Sequence, residues 1–68
     1  KGAIVDYNKA IKIEPRNSEY YKNRGDAKDK LKNFKGAIDD YNKTLEIKPN
    51  DKEASIGKCL SIMHKNKW

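Results

Sequence analysis

Apolar side chains recur at helical spacing through most of this chain. Over residues 34–47, Ala37, Ile38, Tyr41, Thr44, Leu45 and the nearby Ile47 fall at i, i+1, i+4, i+7 and i+8, which covers one face of an α-helix. Residues 1–13 carry the same pattern in Ala3, Ile4, Tyr7, Ala10 and Ile11. Tyr20, Tyr21, Arg24, Ala27, Lys28 and Leu31 mark a more polar helix over about 18–31, and Ile56, Cys59, Leu60 and Met63 form a stripe on a fourth, over about 52–65. Pro15 and Pro49 each follow an isoleucine by two residues and stop the preceding helix, because proline disfavours helical geometry in the residue before it. Asn17-Ser18-Glu19 and Asn50-Asp51-Lys52-Glu53 then offer a capping side chain followed by an acid, as a helix N-terminus favours. Lys32-Asn33 is the turn between the middle helices. Gly25, inside a helix, costs about 1 kcal/mol relative to alanine, so another helix backbone is expected close by. The pattern predicts an all-α fold of antiparallel helices.

Two of these helices are nearly the same phrase. KGAIVDYNKAIKIEPRN, residues 1–17, returns 34 residues later as KGAIDDYNKTLEIKPND, residues 35–51, with ten of 17 positions identical. Self-similarity at a fixed period is the mark of stacked-repeat architecture, in which each unit buries its apolar face only against its neighbours. The unit is a helix over 18–31, a turn, a helix over 34–47 and a proline loop.

This unit resembles the tetratricopeptide repeat, a 34-residue helix-turn-helix. Counting Ser18 as the first position, Tyr21 is the expected aromatic at the fourth and Gly25 the glycine at the eighth. Ala37 is the alanine at the twentieth, Tyr41 the aromatic at the twenty-fourth and Pro49 the proline at the thirty-second. Arg24 replaces the usual leucine, Lys28 the usual tyrosine and Thr44 the usual alanine. Ala3, Tyr7, Ala10 and Pro15 match the second half of a preceding repeat. Residues 52–68 follow the pattern poorly, since Ser55, Lys58 and Cys59 stand at the aromatic, leucine and glycine positions. The chain is therefore expected to be a single domain in three parts: 1–17 the second helix of one repeat, 18–51 a complete repeat, and 52–68 a terminal helix.

Composition fits a small soluble helical chain: 68 residues, 38% charged, with no apolar run near the ~18 residues that span a bilayer. No targeting signal is visible, and the single cysteine suits a reducing compartment, so a cytoplasmic location is expected. Chemistry is sparse. Cys59 and His64, the only residues of their kinds, lie five apart on different helical faces, and a nucleophilic pair or a zinc site needs more than that. The plain expectation is a packed cysteine and an exposed histidine, with no enzyme activity, metal or cofactor. The Gly-Ala pairs at 2 and 36 are expected to be helix-packing positions.

The resemblance implies a protein–protein interaction scaffold whose first helices line a concave groove for a partner segment. The groove positions of the complete repeat are Glu19, Lys22, Asn23, Asp26, Asp29 and Lys30, a set with no strong net sign. On the terminal helix they are Glu53, Ile56, Gly57, Leu60, Met63 and His64. A stripe at helical spacing is more often core than binding site, so the Ile56–Leu60–Met63 stripe is expected to pack inward. A partner contact or a contact between two chains are the alternatives. One branch of the family grips C-terminal carboxylates, but Asp26, Glu53 and Gly57 stand where that clamp needs asparagine, lysine and arginine, so the clamp is not expected. Self-association through the face Ile4–Tyr7–Ile11 is the second reading.

Nucleic acid comes third. The net charge of +6 raises it, and Lys28, Lys30, Lys32 and Lys35 form a dense run, with Lys65 and Lys67 near Trp68 a smaller one. Such runs usually mark a solvated edge. Arginine is scarce, most tyrosines fall at packing positions, and the related RNA-reading helical repeats have a slightly longer period.

Overall fold

The computed structural model describes residues 2–67, Gly2 by its helical backbone alone. Lys1, expected in the opening helix, and Trp68, expected beside a lysine run, lie outside the described residues, as does the packing expected of Gly2. Four α-helices follow in order: α1 (Gly2–Ile13), α2 (Ser18–Lys30), α3 (Phe34–Ile47) and α4 (Lys52–Lys67). Each of α2, α3 and α4 packs chiefly on its predecessor or successor, and α2 also meets α4 across one side of α3. The result is a slab of 35 × 29 × 13 Å, about one helix thick in its shortest direction.

The helix ends follow from side-chain chemistry. Asn17 accepts from the Glu19 N–H at 3.0 Å and Asp51 from the Ala54 N–H at 3.2 Å, so both expected caps form. A third cap sits in the turn: Asn33 Oδ1 accepts from the Gly36 N–H at 3.1 Å. That close approach also sets the role of Gly36. An added Cβ there would lie 2.7 Å from the Asn33 amide, so the residue makes room for its own cap rather than for another helix. The turn needs Lys32 in the left-handed region at φ 65°, an uncommon conformation outside glycine. Helix α2 ends one residue earlier than predicted. Leu31 is its C-cap, with its N–H on the Ala27 and Lys28 carbonyls, and the side chain leaves the helical face to stand 61% exposed.

The core is small. Ala37, Tyr41 and Ala54 are its buried apolar residues, with Leu45 packed beside them. Tyr41 fills the middle of α3 and its ring is held on two sides. A Cβ on Gly25 of α2 would lie 3.1 Å from the ring and 3.3 Å from the Ala37 carbonyl oxygen, so the backbone approach expected at Gly25 is present and the ring shares it. A Cβ on Gly57 of α4 would lie 2.7 Å from the same ring. Burying an aromatic of this size contributes roughly 2–3 kcal/mol from area alone.

That ring decides how α4 sits, and it corrects the inward packing expected of the terminal stripe. Ala54 and Ser61 are fully buried and Gly57 lies against Tyr41, so α4 turns a row of small residues inward. Ile56 is 60% exposed, Leu60 44% and Met63 57%. The space these large side chains would need is already occupied by Tyr41. The expectation for Cys59 and His64 is reversed for the same reason. His64 continues the inward row one turn beyond Ser61 and is half-buried, while Cys59 is exposed.

Gly57→Leu tests this account. Leucine is the better helix former, yet forcing it against the ring is expected to lower stability by roughly 1–3 kcal/mol. Thermal melts followed by circular dichroism would show this as a lower Tm, with the exposed neighbour change Ile56→Leu leaving Tm in place.

Candidate functional site: the groove between α2 and α4

Three residues at positions where the sequence departs from the repeat pattern meet around one buried acid. Asp40 of α3 is 4% exposed and takes a two-pronged hydrogen bond from Arg24, Nε to Oδ2 at 2.9 Å and Nη2 to Oδ1 at 2.7 Å. Lys28 Nζ stands 3.3 Å from the same carboxylate. Arg24 also donates from Nη1 to Asn8 Oδ1 of α1 at 2.7 Å and stacks its guanidinium over Tyr21, 5.5 Å from the ring centre. The Asp40 hydrogen bond outweighs desolvation and raises the Arg24 pKa above its ordinary value. Thr44, fully buried, hydrogen-bonds through its hydroxyl to the Asp40 carbonyl at 3.0 Å, with the Ser18 carbonyl at 3.3 Å. Lys28, expected on a solvated edge, is thus tied into the interior by this acid, and α1, α2 and α3 are fastened through the Arg24 guanidinium.

With the frame held in this way, α2 and α4 border a groove of about 450 Å³ lined by Lys22, Asn23, Asp26, Glu53, Ile56, Gly57 and Leu60. Lys22 Nζ bridges to Glu53 at 2.7 Å and approaches Asp51 at 3.5 Å across the helix junction. The Glu53 hydrogen bond raises the Lys22 pKa against the opposing effect of desolvation. Asp26 accepts a hydrogen bond from the Tyr41 hydroxyl, so the core tyrosine reaches the groove floor. Burial first, and then this hydrogen bond, push the Tyr41 phenol well above its ordinary pKa. Among the described residues the Asn23 amide has no partner. Ile56 and Leu60 form the apolar wall.

The other predicted groove positions lie elsewhere. Glu19 is exposed near the start of α2, and Met63 is exposed and stands outside the lining of this groove. Asp29 and Lys30 face a separate hollow toward the turn, together with His64. Asp29 accepts from the Ser61 hydroxyl at 3.0 Å and lies 3.4 Å from His64 Nδ1. Serine, histidine and aspartate meet here, but the wiring is not that of a nucleophile. The Ser61 hydroxyl donates to the carboxylate, not to the imidazole, and its residue is fully buried. This trio holds α4 on α2. Among the described residues no group of three His, Cys, Asp or Glu could hold a metal ion, and no helix is long and apolar enough to cross a membrane.

Residues 18–51, half of the chain, match the family model for the tetratricopeptide repeat, and the chain belongs to that family. Tetratricopeptide repeats generally mediate protein–protein interactions as non-enzymatic scaffolds. No curated protein and no solved structure matches the chain.

Two measurements probe this framework. Asp40→Ala leaves Arg24 and Lys28 without their partner, and a loss of roughly 2 kcal/mol in urea unfolding is expected. Asp51 supplies a pH dependence. Burial alone would raise its carboxyl pKa, but the Ala54 N–H and then the Lys22 charge outweigh burial and hold it below the ordinary 3.8. A depressed carboxyl contributes stability that is present above its ordinary value and is lost as pH falls through the folded one. Asp51→Asn keeps an oxygen at the cap but removes the titration, so its Tm should fall less than that of the parent between about pH 6 and pH 3.

Proposed function

We propose that the chain binds an extended segment of a partner protein along the groove between α2 and α4. The observation that carries this reading is the convergence of Lys22, Asn23 and Asp26 with Glu53, Ile56, Gly57 and Leu60 around one hollow. An apolar side chain of the partner would rest on Ile56 and Leu60. The partner's backbone would meet the unpaired Asn23 amide, which offers both a donor and an acceptor. Lys22 and Glu53 already neutralise each other, so selectivity would come from shape and amide pairing rather than from net charge. In the same reading, residues 1–17 are the second half of one repeat, 18–51 a complete unit and 52–68 a terminal helix. The scaffold would work in the cytoplasm, where an exposed thiol such as Cys59 stays reduced.

The test begins with peptides selected from a random display library on the purified chain. Titration by fluorescence anisotropy would then compare the parent with Ile56→Asp/Leu60→Asp. Both positions are solvent-exposed, so Tm is expected to stay within about 0.5 kcal/mol of the parent in stability terms, while affinity drops at least about tenfold. Undiminished binding by the folded double variant would count against the groove.

Self-association is a second reading, favoured by the apolar residues at both ends of the stack. Among the described residues helix α1 packs on α2 alone; its Ile4–Tyr7–Ile11 face is half-buried, Val5 and Ile13 are exposed beside it, and Ile62 adds to the outward stripe of α4. Light scattering over a concentration series is expected to report a rising mass if two chains cover these faces, and a constant monomer mass excludes it.

A further inference from the structure

The two lysine runs of the sequence, 28–35 and 65–67, come together at one end of the slab. There the end of α2, the turn, the start of α3 and the end of α4 enclose Phe34. On one side of this ring is a hollow of about 540 Å³ lined by Asp29, Lys30, Lys32, His64 and Lys67 as well as Phe34. On the other is a hollow of about 400 Å³ lined by Lys32, Asn33, Lys35 and Lys65, again with Phe34. Phe34 is half-buried and meets His64 at 5.6 Å between ring centres, tilted by 51°. Five lysines thus surround one aromatic wall.

Among the described residues little negative charge faces this cluster. Of these residues Asp29 is the only acid lining either hollow, and its Oδ1 is already engaged by Ser61 and His64. Among the described residues Lys30, Lys35, Lys65 and Lys67 have no ion-pair partner. Beyond Glu53 the sequence contains no further acid. A plain electrostatic role accounts for part of this, since Lys30 lies in the last turn of α2 and Lys65 and Lys67 in the last turn of α4, where cations suit the helix dipole. It does not account for Lys35. That residue stands in the first turn of α3, where the dipole disfavours a cation.

We propose that this end of the molecule is a second docking site, for an acidic protein segment carrying one apolar side chain. The apolar group would enter the larger hollow against Phe34 and the lysine stems, and flanking carboxylates would meet the ammonium groups. Charge complementarity selects an anionic occupant, and the ring arrangement selects a peptide over a nucleic acid. Single-stranded nucleic acid is bound by rows of open aromatic faces on which successive bases stack. Here a single ring is half-buried and tilted against an imidazole, so it forms the wall of a pocket. The site lies apart from the groove of Ile56 and Leu60 and shares none of its lining residues.

The experiment uses a labelled peptide of Asp and Glu with one central Phe, the same peptide with Ser in place of Phe, and labelled oligouridylate. Anisotropy is read at low and at physiological ionic strength. The Phe peptide is expected to bind most tightly and to weaken as salt rises. Lys35→Glu/Lys67→Glu should reduce its affinity at least about tenfold with an unchanged circular-dichroism melt. Ile56→Asp/Leu60→Asp, which blocks the other groove, should leave it unchanged. Binding that survives the lysine reversal, equal binding of the Phe and Ser peptides, or tighter binding of oligouridylate would each overturn the proposal. Loss of binding in the Ile56→Asp/Leu60→Asp variant would move the acidic segment to the other groove and overturn it as well.

Discussion

The ring of Tyr41 is the constraint around which the other helices arrange themselves. It enters from α3 and is closed by Gly25 on α2 and Gly57 on α4, so both neighbours come as near as a residue without a side chain permits. Its hydroxyl then reaches Asp26, which lines the groove between those neighbours. One side chain therefore sets the spacing of three helices and the depth of the hollow they border. Large apolar residues on α4 have nowhere to go but outward, and the exposure of Ile56, Leu60 and Met63 follows from this.

Where the Tyr41 contact is steric, the Asp40 contact is electrostatic, and it explains how the repeat tolerates its departures from the family pattern. Arg24, Lys28 and Thr44 replace apolar or small family residues with polar ones. Each finds a partner on Asp40: two find its carboxylate and the third its carbonyl. Among the described residues no buried side-chain nitrogen or oxygen lacks a hydrogen bond. A buried ion cluster is seldom more stable than a well-packed apolar one, but it is directional. It fixes the rotation of α2 against α3, and through Asn8 it extends to α1.

Much of this was legible in the sequence, and what was not follows a rule. The repeat period, the four helices and the caps at Asn17 and Asp51 depend on residues near one another in the chain. The cap at Asn33 was equally local, and its three-residue spacing to Gly36 was the signal that could have found it. The inward face of α4 was not local. Hydrophobic spacing identifies Ile56, Leu60 and Met63 as a stripe, but only the contact between Gly57 and Tyr41, sixteen residues apart, shows that small side chains must face inward. Burial here was decided by available volume rather than by hydrophobicity. The candidate groove was legible at Lys22, Asn23, Asp26, Ile56 and Leu60. Asp29 and Lys30 line the other hollow, Asp29 held by Ser61 of the rotated terminal helix, while Glu19 and Met63 stand exposed outside the groove. The gathering of the two lysine runs around Phe34 was invisible to either run alone.

The 13 Å thickness of the slab gives the protein an interior that lies along its length rather than at its centre. Helix α3 has a neighbour on each side, whereas α1 leans on α2 alone. Protection of the backbone from solvent should therefore be deeper in α2 and α3, each flanked on two sides, than in α1. Matching positions of the two phrases then meet different surroundings: Asp40 is an interior ion, and Asp6, its counterpart 34 residues earlier, is exposed to water. In such a molecule a residue's environment is a property of its rank in the stack as much as of its letter.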